Sequence, residues 1–296
     1  MINVYEQVNR NKFKSGLIVS LFIVFILAVT YLISISFGYG NEFMFFALFI
    51  SFFMSGVSYF WGDKIVISIN GAQPANRKDF FDFYTVTENL SIANGTPMPK
   101  VYFIDSPAMN AFATGRDPKN ALICATTGLL QKLNRTELEA VVAHELSHIK
   151  NYDILLMMIV SILIGTLSIV INSATRASFF GGRNRDNDND GGNAVVAIIG
   201  LILIIFAPII AKLIQLAISR RREFLADASG VKLTRQPQGL IDALEKISQD
   251  SNKLETASTA TSSLYISNPF KGNKIASLFS THPPIENRIA ALKEML

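Results

Sequence analysis

The sequence predicts a predominantly α-helical integral membrane protein: four transmembrane helices and a cytoplasmic α+β domain with a small mixed sheet. Three observations predict it. Half of the 296 residues are hydrophobic and only 17% are charged, with a mean hydropathy of +0.33, whereas soluble domains carry about 25% charged residues. Four long runs contain no charged residue. Residues 101–104, 111–114 and 121–124 read as short strands just ahead of a helix. A single cysteine excludes a disulfide framework or a thiolate-rich metal cluster, and so apolar a composition excludes a disordered chain. The net charge of +4 and pI near 9.1 would suit nucleic acid. No recognition module accompanies them, however, and the basic residues gather at the ends of the apolar runs, the pattern of loops on the cytoplasmic side of a membrane.

The first run, residues 16–37, spans 22 residues, about 33 Å as a helix and enough for a hydrocarbon core of about 30 Å. It is too long for a signal-peptide core, lacks a small-residue cleavage pattern and meets a second run, 43–61, almost at once. Tyr59 and Trp61 are placed as interfacial anchors. The third run, 154–171, is about 27 Å long, so a buried core helix is its alternative. The fourth extends over 194–211, with apolar character continuing to Ala217 and a kink expected at Pro208. Lys12, Lys14, Lys64, Lys150 and Arg220 to Arg222 all fall on one side of these spans, which places both termini in the cytoplasm. The domain plan is therefore an N-terminal hairpin, 1–61, and a domain over 62–296 interrupted by a second hairpin at about 154–217. The low-complexity loop 181–192 matches half of a calcium-loop pattern but has Ala197 where a bidentate Glu is needed, so it reads as a flexible hairpin.

The chemistry sits in His144-Glu145-Leu146-Ser147-His148. Histidines four apart on a helix share one face and can ligate a single zinc ion, while Glu145 on the flank reaches a water instead of the metal. Asn134 or Thr136 can cap this helix, each with a Glu three residues on. No proline follows before the third run, so the helix is expected to continue straight into the membrane. A catalytic site needs a third protein ligand; His282 and a carboxylate are the candidates. Glu223 and Asp227, at i and i+4, occupy one helical face, and the hairpin between the third and fourth runs returns them to the level of His148. In a site of two histidines and one glutamate, Glu223 ligates zinc and Asp227 accepts the free ring N–H of a ligand histidine.

These motifs, with the downstream Thr281-His282-Pro283-Pro284, resemble the HtpX family of bacterial membrane zinc metalloproteases and, more distantly, the CaaX prenyl proteases. The resemblance covers most of the chain. It implies a zincin-like metalloprotease domain with one Zn2+ per chain on His144, His148 and Glu223, and Glu145 as the catalytic glutamate. It further implies a multi-pass endopeptidase of the bacterial cytoplasmic membrane, its site facing the cytoplasm, that acts on misfolded membrane proteins under stress.

In that chemistry zinc acidifies a water and polarises the scissile carbonyl, and Glu145 is the general base. His282 is available to steady the oxyanion or to serve a structural turn. Peptide substrates are expected to add along a sheet edge, where Asn110 either hydrogen-bonds the substrate backbone or forms a turn. Cys124 reads as a small buried hydrophobe, and the Ser/Thr-rich tract 257–263 as a mobile loop, with a lid over the site as the alternative. Two other functions compete. A transporter or channel would place ionisable groups inside the spans, and none occurs there. A catalytically silent zinc-bound membrane scaffold that recruits other proteins has no use for Glu145, which has no ligand duty.

Overall fold

A computed structural model describes residues 4–37, 41–163, 220–257, 261–269 and 283–296. The first two apolar runs lie in two long helices, α1 (Val4–Phe37) and α2 (Asn41–Asn70). Among the described residues no single helix is long and apolar enough to cross a membrane; one helix pair, discussed below, passes that test only jointly. The rest of the third run beyond Leu163, the fourth run, the loop 181–192 and His282 lie outside the described residues.

A four-stranded mixed sheet follows, built from β1 (Gln73–Pro74), β2 (Lys100–Ile104), β3 (Ala111–Gly115) and β4 (Ala121–Thr126) in the order β1-β2-β4-β3. β2 and β4 run parallel and the other pairs antiparallel. Three strands fall where the sequence places them; the two-residue β1 carries no pattern of its own. α3 (Phe81–Asn94) and α4 (Thr127–Lys132) flank the sheet. Alternate residues of a strand face opposite sides, and both sides here are covered. Val101, Ala113 and Ile123 pack with Phe83, Val142 and Ile247, whereas Ile104, Phe112, Leu122 and Cys124 pack with Ile18, Val66 and Met158. Cys124 is fully buried, and burial pushes its thiol pKa up.

The motif helix is α5 (Arg135–Lys150), started by a capping box in which Asn134 and Glu137 satisfy each other's backbone N–H groups. It does not run on. α5 stops at Asn151, Tyr152 takes the left-handed conformation at φ 59°, and α6 (Asp153–Leu163) leaves at 82° to it. The expectation of a straight helix is thus corrected. A left-handed tyrosine costs about 1–2 kcal/mol, and neither glycine nor proline marks the corner in the sequence. Its compensation is tertiary, because the bend turns Asp153 back towards His148.

Three helices complete the described residues: α7 (Arg220–Thr234), α8 (Pro237–Gln249) and α9 (Ile285–Lys293). The structure bears on two more expectations. Of the two edges of the sheet, that of β3 is met by the chain itself: Tyr265 bridges Phe112, and Ile266 N donates to Ala111 O at 2.9 Å. In the Ser/Thr-rich tract, Thr261 and Ser263 are buried, and Thr261 Oγ1 donates to Asn70 Oδ1, so this part of the tract is packed against the end of α2.

Candidate active site

α5 and α7 lie side by side because α7 carries Gly230 at their contact. A Cβ there would stand 3.1 Å from His144 N, so any larger residue would push the helices apart. Glu223 and Asp227 sit on the same helix, about two turns and one turn before that glycine. The approach places both carboxylates against the motif helix.

Three ligand atoms converge. His144 Nε2 and His148 Nε2 are 3.2 Å apart, and the Glu223 carboxylate oxygens lie 3.7 Å from the first and 3.6 Å from the second. A tetrahedral metal with ligands at about 2.0–2.1 Å requires edges of about 3.3 Å. All three residues are buried, and they form a ligand group whose atoms lie within 4.8 Å of one another.

The opposite ring nitrogens are engaged. His144 Nδ1 lies 2.9 Å from Asp227 Oδ1, and His148 Nδ1 lies 3.0 Å from Asp153 Oδ2. A carboxylate only accepts, so each Nδ1 carries a proton, which leaves Nε2 as the ring atom available to a metal. Two ring nitrogens and a carboxylate facing one point favour a cation there, a metal ion or, in its absence, a proton on His148. Charge leads to the same conclusion. The buried carboxylates Glu145, Asp153, Glu223 and Asp227 are opposed by the guanidiniums of Arg222 and Arg288. These carboxylates outnumber the guanidiniums, so the cluster favours further positive charge, which a metal ion or a protonated His148 can supply. The donor set of imidazole nitrogen and carboxylate oxygen suits zinc.

Arg288, on α9, is fully buried and grips Asp227 with two bonds, Nη2 to Oδ1 at 2.6 Å and Nε to Oδ2 at 2.8 Å. Burial by itself would raise the Asp227 pKa, but the Arg288 charge and hydrogen bonds, with His144, hold it down to about 2. Asp153 is met by Arg222 Nη1 at 2.9 Å. At His148, burial disfavours the charged ring, yet the hydrogen bond with Asp153 and the charges of Glu223, Asp153 and Glu145 outweigh it and raise the pKa to about 9. Glu145 is itself buried, on the same helix between the two histidines.

The structure therefore brings His144, Glu145, His148, Glu223 and Asp227 together. Asn110 is buried beside the sheet edge, and its side chain is occupied by its own chain: Nδ2 donates to Ser267 O at 3.0 Å, and Oδ1 accepts from Ser267 N at 3.3 Å. Three residues at the site escaped the sequence reading: Asp153, Arg222 and Arg288. None carried a sequence signal, because each is placed by packing that only the fold shows.

Comparison with known proteins gives a consistent set of relatives. Residues 80–296 match the profile of Peptidase family M48. The chain is 44% identical over 295 residues to "Protease HtpX homolog" of Caldanaerobacter subterraneus subsp. tengcongensis, covering 99% of this chain and 98% of that one. It is 41% identical over 291 residues to the "Protease HtpX homolog" of Dictyoglomus turgidum, covering 98% and 94%. The crystal structure of S. mikatae Ste24p aligns over 97% of this chain and 66% of that chain, with 21% identity and a TM-score of 0.49.

Proposed function

The chain belongs to Peptidase family M48 and is a metallopeptidase, and from that premise we propose that it is a zinc-dependent endopeptidase of the bacterial cytoplasmic membrane that hydrolyses misfolded membrane proteins. The observation that carries the zinc assignment is the convergence of His144 Nε2, His148 Nε2 and the Glu223 carboxylate, with both histidine Nδ1 atoms committed to carboxylates. One zinc ion per chain fits there. Bound zinc supplies Lewis acidity, lowering the pKa of a water and polarising a peptide carbonyl. Glu145 takes the proton of the attacking water and returns it to the amine nitrogen that leaves. Asp227 and Asp153 hold the two imidazoles in the Nδ1–H form, so that Nε2 stays the ligand atom. His282 steadies the oxyanion, on the strength of its being the remaining histidine of the chain. Asn110 fixes the segment that contains Ser267 beside the edge of β3.

The membrane part of the reading rests on the sequence. Uncharged runs of 22 and 19 residues lie in α1 and α2 and two more follow, which supports a hairpin over 1–61 and a catalytic domain over 62–296 interrupted at about 154–217. Lys and Arg at the run ends support cytoplasmic termini and a cytoplasmic site. The resemblance to the HtpX family supports the choice of substrate.

The test compares wild type with Glu145→Gln, both purified in detergent and loaded to equal zinc content, on an unfolded protein substrate. Removal of a general base is expected to lower turnover by about 10²- to 10⁴-fold. Equal zinc with no cleavage by wild type, across several unfolded and membrane-derived substrates, would favour the scaffold instead.

A further inference from the structure

The polar start of α1, ahead of its apolar run, buries two side chains one helical turn apart, Asn11 and Ser15. Ser15 Oγ donates to Asn11 O at 2.9 Å and stays within the helix. Asn11 reaches out of it. Its Nδ2 donates to Asn151 O at 2.7 Å and to Asp153 Oδ1 at 2.8 Å, using both amide hydrogens. The next residue, Lys12, places its Nζ 4.3 Å from the centre of the Tyr152 ring. α1 thus holds all three residues of the corner between α5 and α6: a carbonyl of Asn151, the ring of Tyr152 and the carboxylate of Asp153.

That corner is where the metal helix departs from its straight course. Tyr152 is held there in the left-handed region, and Asp153 uses its other oxygen, Oδ2, on His148 Nδ1. A continuous chain of bonds therefore runs from Asn11 through Asp153 to a ligand histidine, over a sequence separation of 142 and then five residues. We propose that α1 is a working part of the metal site, with Asn11 a positioning residue that aims His148 through Asp153. The N-terminal helix is then more than an anchor, because how it is seated sets how tightly the metal is held. This rests on the reading of His144, His148 and Glu223 as metal ligands.

Groups that orient a ligand from outside change metal affinity by about 10- to 100-fold when removed. The experiment measures Zn2+ affinity of the full chain in detergent by competition with a chelator, for wild type, Asn11→Ala, Asn11→Asp, Ser15→Ala and His148→Ala. Asn11→Ala is expected to weaken Zn2+ by about tenfold or more, and Asn11→Asp by more still, since it sets one carboxylate against another. Ser15→Ala, on the same buried face but out of reach of Asp153, keeps wild-type affinity. Melting of the metal-free forms is recorded in parallel, so that loss of affinity can be separated from loss of stability. Wild-type affinity in Asn11→Ala would overturn the proposal. So would a loss shared equally by Ser15→Ala and tracking the melting point, which would make Asn11 a packing residue only. If His148→Ala binds Zn2+ as wild type does, the metal reading itself fails and the inference falls with it.

Discussion

His144 and His148 each give their Nδ1 proton to a buried carboxylate, yet the two carboxylates are anchored in different parts of the molecule. Asp227 stands in the middle of α7 and is gripped at both oxygens by Arg288 of α9, a residue with no solvent exposure. Asp153 stands at a helix corner, with Arg222 of α7 and Asn11 of α1 sharing one of its oxygens. The first arrangement is closed within the globular domain. The second is open to whatever moves α1. One half of the metal site is thus held by α7 and α9, and the other is also held by α1.

The comparison is broken most severely by removing the guanidiniums. Arg288→Met leaves Asp227 buried without its cation, and loss of one partner of a buried pair costs about 3–5 kcal/mol. Burial then pushes the Asp227 carboxyl towards its protonated form, reversing the direction set in the native protein. Arg222→Met should cost less than half as much, since Asn11 still donates to Asp153. Thermal unfolding of the two metal-free variants in one detergent checks this order; equal losses would remove the distinction between the halves.

A smaller effect sharpens it. With no metal bound, His148 has its pKa raised to about 9, so its folded state holds a proton at neutral pH that a metal must displace. The sign follows: apparent metal affinity falls as pH drops below about 9, by about tenfold per unit from this group, and stops rising above it. Near pH 7, uptake of zinc should release about one proton from His148. Calorimetry of zinc binding in buffers of different ionisation enthalpy counts that proton, and no buffer dependence would contradict the assignment.

What could be read in the sequence followed from local spacing. The His144–His148 pair and the Glu223–Asp227 pair both use the helical period, so each could be placed on one face before any contact was known. The three longer strands were legible from local composition, within two residues at every end. The missed features are those whose cause lies far away. Asn11 and Asp153 are 142 positions apart and Arg288 and Asp227 are 61, distances at which sequence carries no period. The corner at Tyr152 was missed because the usual punctuation, glycine or proline, is absent, and the strained conformation is held by side chains from α1 and α7. Asn110 was read as either a substrate contact or a turn former; its partner, Ser267, lies 157 residues on.

The most direct test of the account is an anomalous-difference map at the zinc absorption edge from crystals of the full chain loaded with zinc. The account predicts one peak per chain, about 2.0–2.2 Å from His144 Nε2, His148 Nε2 and a Glu223 oxygen, with Asp227 and Asp153 remaining on the Nδ1 atoms. A peak bound to Asp227 or Asp153, or one that leaves either histidine unligated, would contradict it.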